Sequence, residues 1–464
     1  MYTLNFNEPI HVHFIGIGGI SMSGLAEILL KENFTISGSD DRRSALTDHL
    51  AGLGATIYCP LGASNIIEAS ELVNGIDVVV YTAAIHEDNP EFAEAKKRGI
   101  PMLSRAQLLG QLMTNYETPI AVSGTHGKTT TTSMLSHILL EAETDPTISV
   151  GGILNAIGGN IRVGNSDVFV TEACEYTNSF LNFYPKISIV LNVEEDHMDF
   201  FKDIHEIRAS FHKFATLLPE DGALVINKNI EGLETITDGL ACKTITYSEC
   251  QDADYSAANI SFDSFGNASF DLIKYGTYVD RIQLSVAGNH NVSNALSTIA
   301  VADLLEIPLE TIKKGIASFT GTVRRFQYKG ERNGFTIIDD YAHHPTEIKA
   351  TLTSAQNYPH KDIWCIFQPH TYTRTKAFFH EFAEALSLAD HVILADIYAA
   401  RETDTLGMSS EALAEEIKKL GTDAYYLPSF DAIENFVLEN VIQGDLLITM
   451  GAGDVVNIGE SLLK

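Results

Sequence analysis

The sequence predicts an α/β protein of three domains, each built on a mainly parallel sheet. Three observations carry this. The 464 residues amount to about three domains at ~150 residues apiece. Short apolar runs alternate with segments of helical spacing along the chain, the pattern of parallel strands joined by crossover helices. Near residues 11 and 119, an apolar run ends in a glycine turn that opens directly into a helix. Hydrophobic residues make up 45% of the chain and charged ones 20%, which suits ordinary globular cores. No apolar run approaches the ~18 residues of a membrane span, and the N-terminus lacks the basic and apolar regions of a secretory signal. The net charge of −30 argues against non-specific binding to nucleic acid or anionic membrane. An enzyme with anionic substrates would then have to concentrate positive charge locally. Cys59, Cys174, Cys242, Cys250 and Cys365 show no CxxC spacing and read as reduced thiols of a cytoplasmic protein.

Residues 11–30 read strand, glycine turn, helix, and a second strand over 34–40 ends in Asp40. This is a βαβ opening with Asp40 where a dinucleotide fold places its ribose-binding carboxylate. The third fingerprint glycine is replaced by Ser21, so the residues leave NAD and another nucleotide diphosphate both open. His11 and His13 share one strand face; without a nearby Cys or Asp they read as ordinary strand residues rather than a metal pair. The next strand, 77–81, runs into Thr82 and Ala83. Open α/β sheets bind ligands beyond the carboxyl ends of strands, which makes both candidate diphosphate contacts. Helices are expected over 90–98 and 104–113, and 114–119 reads as a linker. The first domain, Rossmann-like, is therefore 1–116.

The central stretch is Gly124-Thr-His-Gly-Lys-Thr-Thr130, between an apolar strand at 120–122 and a helix over 129–140. Glycines let backbone N–H groups converge on phosphate oxygens, and the helix N-terminus adds positive potential. Lys128 is placed to reach the β/γ-phosphates and Thr129 to put its hydroxyl on Mg²⁺. The usual first P-loop glycine is Val122 here, so this is a shorter variant. A Gly/Asn-rich loop is expected over 151–160. Strands at 167–171 and 186–192 deliver Glu172 and the run containing His197. In a parallel sheet Thr129, Glu172 and His197 fall on one edge. Hydroxyl and carboxylate suit a hard cation, whereas the imidazole by itself reads as a hydrogen-bonding group. A helix is expected over 205–218 and β-rich sequence over 222–275. Asn291 is placed to cap an alanine-rich helix that runs to 305. The central P-loop-type ATPase domain spans 117–321.

The third domain, 322–464, opens near the adjacent Arg324 and Arg325. Strands at 335–340, 391–398 and 445–450, and one that opens the strand-then-loop stretch 363–375, alternate with helices, which makes a second Rossmann-like domain. His343 and His344 follow the first of these strands; adjacent residues rarely ligate one ion, so a site for a carboxylate, amine or nucleotide is expected. Arg374 is available to pair a carboxylate or phosphate bidentately.

The loop 124–130 resembles the nucleotide loop of the Mur ligases, the ATP-dependent amino-acid ligases of peptidoglycan synthesis, and the resemblance extends over nearly the whole chain. It implies that the first domain holds a UDP moiety, on Gly18, Gly19, Ile20 and Ser21 of one loop and Ser39 and Asp40 of the next. It implies ATP on Gly124, Thr125, His126, Gly127, Lys128, Thr129 and Thr130, with His290, Asn291 and Asn294 near adenine and Arg325 and Asp340 also contributing. A pair of magnesium ions would be held around the γ-phosphate by Thr129, Glu172 and His197. Lys128, Glu172, His197, Arg325 and His343 form the implied catalytic set, with Arg325 neutralising developing charge. His343, His370, Arg374 and Thr375 would meet the substrate carboxylate and amino acid. The chain departs from the family pattern at Cys174 and Thr177, where carboxylates are usual, and at Thr371, where arginine is frequent; Glu175 is retained.

The runs His-Phe-Ile-Gly-Ile-Gly-Gly, Asp-Asp-Tyr-Ala-His-His-Pro-Thr-Glu and Phe-Gln-Pro-His resemble the alanine-adding members. They imply ligation of L-alanine to UDP-N-acetylmuramate through an acyl phosphate, in a bacterial cytoplasmic enzyme of cell-wall biogenesis, cell shape and division. Its partners would be small molecules, with neither nucleic acid nor membrane insertion, and it would be a monomer or weak homodimer. Three domains meeting at one site would close on substrate. The alternatives are a ligase of recycled murein peptide, a NAD-dependent oxidoreductase using residues 11–40, and an ATP-gated binding module. A folate-type ligase would lack the N-terminal nucleotide domain.

Overall fold

The computed structural model describes residues 2–72, 75–82, 85–198, 200–400, 402–404 and 406–464. The chain forms two compact units, Met1–Thr246 and Tyr247–Lys464. Its architecture is the expected three-domain α/β one with mainly parallel sheets.

The first unit opens with β1 (His11–Ile15), α1 (Ile20–Lys31), β2 (Thr35–Ser39), α2 (Ala45–Gly52), β3 (Thr56–Tyr58), α3 (Ala63–Glu71), β4 (Val78–Tyr81), α4 (Pro90–Lys97), β5 (Met102–Ser104) and α5 (Arg105–Met113). The strands pair in the order β3-β2-β1-β4-β5, all parallel. A parallel sheet is covered on both faces, and Val12, Phe14, Ile15 and Val78–Val80 are accordingly fully buried. Helix starts follow local chemistry. The Asn89 side chain caps α4 ahead of Pro90, and a Ser104–Gln107 capping box opens α5, each satisfying N–H groups that have no intrahelical acceptor.

The chain continues with β6 (Thr118–Ser123), α6 (Lys128–Glu141), β7 (Thr147–Leu154), β8 (Gly159–Arg162), β9 (Val168–Ala173), β10 (Ile187–Val190), α7 (Ile204–Ala215), β11 (Ala223–Asn227), α8 (Leu233–Thr237) and β12 (Lys243–Ser248), at which the second unit begins. In the second sheet β6 sits between β10 and β9, in the order β11-β10-β6-β9-β7, all parallel. The register sets Val122 against Glu172 and Ser123 against Val190. Residues 151–160 are not the expected loop. They are the end of β7, a 3₁₀ turn at Asn155–Ile157 and the start of β8, an antiparallel hairpin at the sheet edge. Glycines hid it from the sequence pattern, but Val150 and Leu154 are buried as strand residues.

The second unit carries the antiparallel strands β13 (Tyr255–Phe262), β14 (Asn267–Lys274) and β15 (Thr277–Ala287), with α9 (His290–Leu304) and α10 (Leu309–Ser318). Next come β16 (Gln327–Arg332), β17 (Phe335–Asp340), α11 (Pro345–Ala355), β18 (Ile363–Phe367), α12 (Tyr372–Ala377), α13 (Phe379–Leu386), β19 (His391–Leu394), α14 (Ser410–Lys419), β20 (Asp423–Tyr426), α15 (Phe430–Asn440), β21 (Leu446–Met450) and α16 (Val456–Leu462). The third sheet runs β16-β17-β21-β18-β19-β20, parallel except for β16. Among the described residues no helix is long and apolar enough to cross a membrane.

Candidate active site

The centre of the first unit is the loop between β6 and α6. Gly124 has φ +140°, and a Cβ there would lie 2.8 Å from Leu191 Cβ. Gly127 has φ +84° and is the N-cap of α6. Both positions need glycine, one for space and conformation, the other for the left-handed turn. The α6 N-terminus, starting at Lys128, carries the positive end of a 14-residue helix. The Asn192 side chain holds the loop's shape: its Oδ1 accepts from His126 N at 2.7 Å and its Nδ2 donates to His126 O at 3.1 Å. The Thr125 hydroxyl accepts from Glu194 N at 3.0 Å.

Lys128 Nζ donates to the carbonyls of Gly124 and Thr125 and to Glu175 Oε2 at 2.9 Å. Burial works to lower the pKa of this ammonium, but the attraction of Glu175 outweighs it and the net shift is upward. Glu175 is buried, and its other oxygen lies 3.6 Å from His197 Nε2. The His197 ring stacks on Tyr176 with centroids 4.5 Å apart. Glu172 lies on β9; its Oε1 accepts from Gly151 N at 2.5 Å, and a Cβ at Gly151 would sit 2.8 Å from Oε2. Thr129 and Thr130 follow on the first turn of α6, partly exposed. Burial pushes the Cys174 thiol upward, as does Glu175, so this departure from the family pattern puts a neutral group beside Lys128.

The donor set suits a magnesium ion. The Thr129 hydroxyl and the Glu172 carboxylate are hard oxygen ligands, with His197 as a nitrogen donor, and next to them Glu175 Oε1 is buried without a hydrogen-bond partner, a costly arrangement for a carboxylate oxygen.

In the first sheet, Gly18 N donates to Asp40 Oδ2 at 2.8 Å, and a Cβ at Gly18 would lie 2.8 Å from that oxygen. The two loops are thus joined, with Gly19 as the N-cap of α1 and Ile20 exposed beside it. Ser39 donates to the fully buried Glu91, which also accepts from Gly62 N at 2.8 Å. Ser21 Oγ accepts from Arg105 at 2.9 Å. Asn160 Nδ2 donates to Ile20 O at 2.9 Å, so the β7–β8 hairpin reaches the start of α1. Thr82 follows β4; Ala83 lies outside the described residues. His11 and His13 share the Ser37 hydroxyl at 2.7 and 2.8 Å, as hydrogen-bonded core residues.

In the second unit the two arginines divide. Arg324 is held by Asp339 at 3.0 Å and by the carbonyls of Gly451 and Gly453 at 2.7 and 3.1 Å. Arg325 lies over the Tyr341 ring at 5.3 Å and 3.7 Å from Glu347. Asp340 accepts from Phe326 N and Ala342 N, both at 2.7 Å, and so braces the turn that carries Arg325. Burial raises its pKa to about 6 against the pull of Arg325. His343 Nδ1 is 3.3 Å from Glu347, and its ring meets His370 edge-on at 5.9 Å. His370 lies 3.3 Å from Arg374 and stacks on Tyr398. Burial, then His343 and Arg374, push its pKa down to about 4. The imidazole is therefore neutral at neutral pH, and Arg374 is the cation of the pair. Thr375 is fully buried and its hydroxyl donates to Thr371 O at 2.7 Å.

His290 opens α9. Asn291 does not cap the helix, because helical conformation starts one residue earlier and Asn289 is the cap position. Its side chain is instead buried and donates to Ala287 O at 2.7 Å, while Asn294 donates to Asn291 at 3.0 Å.

Asn192, Glu175, Arg105 and Glu91 escaped the sequence reading as site residues. Only the order of the strands brings the first two to the loop. The Arg105 and Glu91 positions were visible just as starts of the helices expected over 104–113 and 90–98.

The parallel sheets and the phosphate loop at the head of α6 define a three-domain, nucleotide-dependent α/β enzyme. The model of the "Mur ligase family, catalytic domain" matches residues 11–117, that of the "Mur ligase middle domain" residues 122–302, and that of the "Mur ligase, glutamate ligase domain" residues 324–453. The chain is 58% identical to the UDP-N-acetylmuramate–L-alanine ligase of Lachnospira eligens and 59% identical to that of Agathobacter rectalis, each over the full length of both proteins. Among solved structures it resembles the UDP-N-acetylmuramate–alanine ligase of Thermotoga maritima (TM-score 0.80, 28% identity, 98% of each chain). It also resembles a murein peptide ligase of Psychrobacter arcticus (TM-score 0.70, 26% identity, 98% of each chain). The chain belongs to the Mur ligase family, whose members are ATP-dependent, amide-bond-forming ligases.

Proposed function

We propose that the protein uses ATP to join L-alanine to the lactyl carboxylate of UDP-N-acetylmuramate, releasing ADP and phosphate, in peptidoglycan synthesis. The observation that carries this is the phosphate loop with Lys128 at the head of α6, beside Glu172, Glu175 and His197. The names of the full-length relatives support the substrates.

A carboxylate resists attack by an amine, so the reaction needs activation. The γ-phosphoryl group passes to the lactyl carboxylate, giving an acyl phosphate; the alanine amine attacks it, and phosphate leaves from the tetrahedral intermediate. The protein's part is to position reactants and neutralise charge. Residues 124–130 hold the polyphosphate through backbone N–H groups, with Lys128 on its charge and Arg325 stabilising charge that develops in transfer. Thr129, Glu172 and His197 would hold magnesium, as a pair of ions, which supplies charge neutralisation at the phosphates. His290, Asn291 and Asn294 bind near adenine, with Asn291 and Asn294 shaping the helix start from within. Gly18, Gly19, Ile20, Ser21, Ser39, Asp40, Thr82 and Ala83 take the UDP moiety. Arg374 meets a substrate carboxylate, with His343 and the neutral His370 as hydrogen-bonding partners. Thr375 acts through the α12 backbone, its hydroxyl being committed to Thr371.

The domains divide as 1–116, 117–321 and 322–464, a division supported by the three matched family ranges. The enzyme works in the bacterial cytoplasm as a monomer or weak homodimer.

Phosphate release from ATP and Mg²⁺, with and without UDP-N-acetylmuramate and L-alanine, tests the reading. Release is expected only with both substrates, with product mass rising by one alanine residue. Release only with a murein tripeptide would identify a recycling ligase. ATP binding without turnover would leave a binding module, and nicotinamide binding would revive the oxidoreductase.

A further inference from the structure

An ammonium has three N–H donors and no acceptor. Those of Lys128 are all engaged within the chain, by Gly124 O, Thr125 O and Glu175 Oε2. A phosphate oxygen can reach Lys128 only by replacing one of them. The two carbonyls belong to the loop that cradles the phosphate, and its shape is held by Asn192 and Thr125. The carboxylate is the partner that can be exchanged. Glu175 is buried, however, and its other oxygen has no hydrogen-bond partner. Losing Lys128 would leave it a buried, uncompensated charge, a state that is strongly penalised. A second cation has to arrive, and the unpartnered oxygen already faces the His197 ring at 3.6 Å.

We infer that Glu175 is a positioning residue that couples nucleotide binding to a divalent cation: it holds Lys128 as an internal counter-ion and yields it to phosphate when the cation takes over its charge. This rests on the assignment of Lys128 to phosphate made above.

Calorimetric titration of the full chain with ATP, in EDTA and in Mg²⁺, tests it. The wild-type protein is expected to bind ATP at least about tenfold more tightly with Mg²⁺. Glu175→Gln frees Lys128, so it should bind Mg²⁺-free ATP about tenfold more tightly than wild type, the scale of one charge-assisted hydrogen bond. Its Mg²⁺ enhancement should shrink correspondingly. A purely structural role would weaken binding in both buffers. Unchanged or weaker Mg²⁺-free binding in a variant that melts as a folded protein overturns the inference. If Glu175→Gln does not fold, Glu175→Ala is read by the same criterion. If the wild type binds ATP in neither buffer, the phosphate assignment of Lys128 falls, and this inference with it.

Discussion

Lys128 and Glu175 form a pair whose side chains are 16% and 3% exposed, so removing the lysine acts twice. Lys128→Ala should abolish phosphate release, a fall of at least about a thousandfold if it loses phosphate charge compensation. It should keep its far-UV CD spectrum but melt earlier, since breaking a buried pair costs about 3–5 kcal/mol. The double variant with Glu175→Gln should recover most of the melting temperature and none of the turnover. Asn192→Ala removes both hydrogen bonds to the His126 backbone. An increased KM for ATP with the KM for the UDP substrate unchanged is expected in steady-state kinetics, with a stability loss of about 1–3 kcal/mol. His370 sets an acid limit. Its pKa falls from 6.5 unfolded to about 4 folded, so the unfolded chain binds the proton more readily. The stability linked to it is complete above about pH 6.5 and is lost as pH falls toward 4. Thermal melts should show a smaller decline across that window for His370→Gln than for wild type. The glycines at 124 and 127 were legible, because a left-handed turn before a helix leaves a mark in the sequence. Asn192 was not: nothing local distinguishes a strand-ending asparagine that clamps a loop 66 residues away.

The segment after Glu175 is a short 3₁₀ element, Tyr176–Asn182, with Thr177 and Asn178 both at positive φ. It is seated against α5, where a Cβ at Gly110 would fall 1.9 Å from the Asn182 carbonyl oxygen. That neighbour is backbone and cannot swing aside. Gly110→Ala should therefore lower stability by about 1–3 kcal/mol or more and, by shifting the turn that carries Glu175, weaken ATP binding; differential scanning calorimetry and ATP titration read the two effects. Helix positions were read well because apolar spacing is local. The expected 90–98 and 104–113 appear as α4 and α5 with their caps in place. The β7–β8 hairpin was read as a loop because Gly151, Gly152, Gly158 and Gly159 dilute the two-residue alternation that marks a strand. Its strand character comes from pairing with β9 and from covering α1, where Ile161 packs at Gly24.

At the scale of the whole molecule the net charge of −30 repels anionic substrates from a distance, whereas the proposed contacts of Lys128, Arg325 and Arg374 would act only at short range. Salt screens the long-range term first, with a Debye length of about 8 Å at 0.15 M. The association rate for ATP should therefore rise as ionic strength goes from about 0.01 to 0.15 M, the opposite of a basic nucleotide-binding protein, in stopped-flow measurements at fixed Mg²⁺. By itself, the sequence determined the α/β class, the glycine turn that opens α6 and the motifs that mark the family. These depend on residues close along the chain: apolar runs, glycine turns, helix caps, a lysine and a hydroxyl at set spacing. The tertiary structure alone decided which groups those motifs meet. Strand order β10-β6-β9 brings Asn192 to the loop backbone at His126 and Glu175 to Lys128, the reach of Arg105 to Ser21 spans 84 residues, and burial lowers the pKa of His370. Long-range pairing and desolvation depend on the folded neighbourhood, which no local pattern encodes.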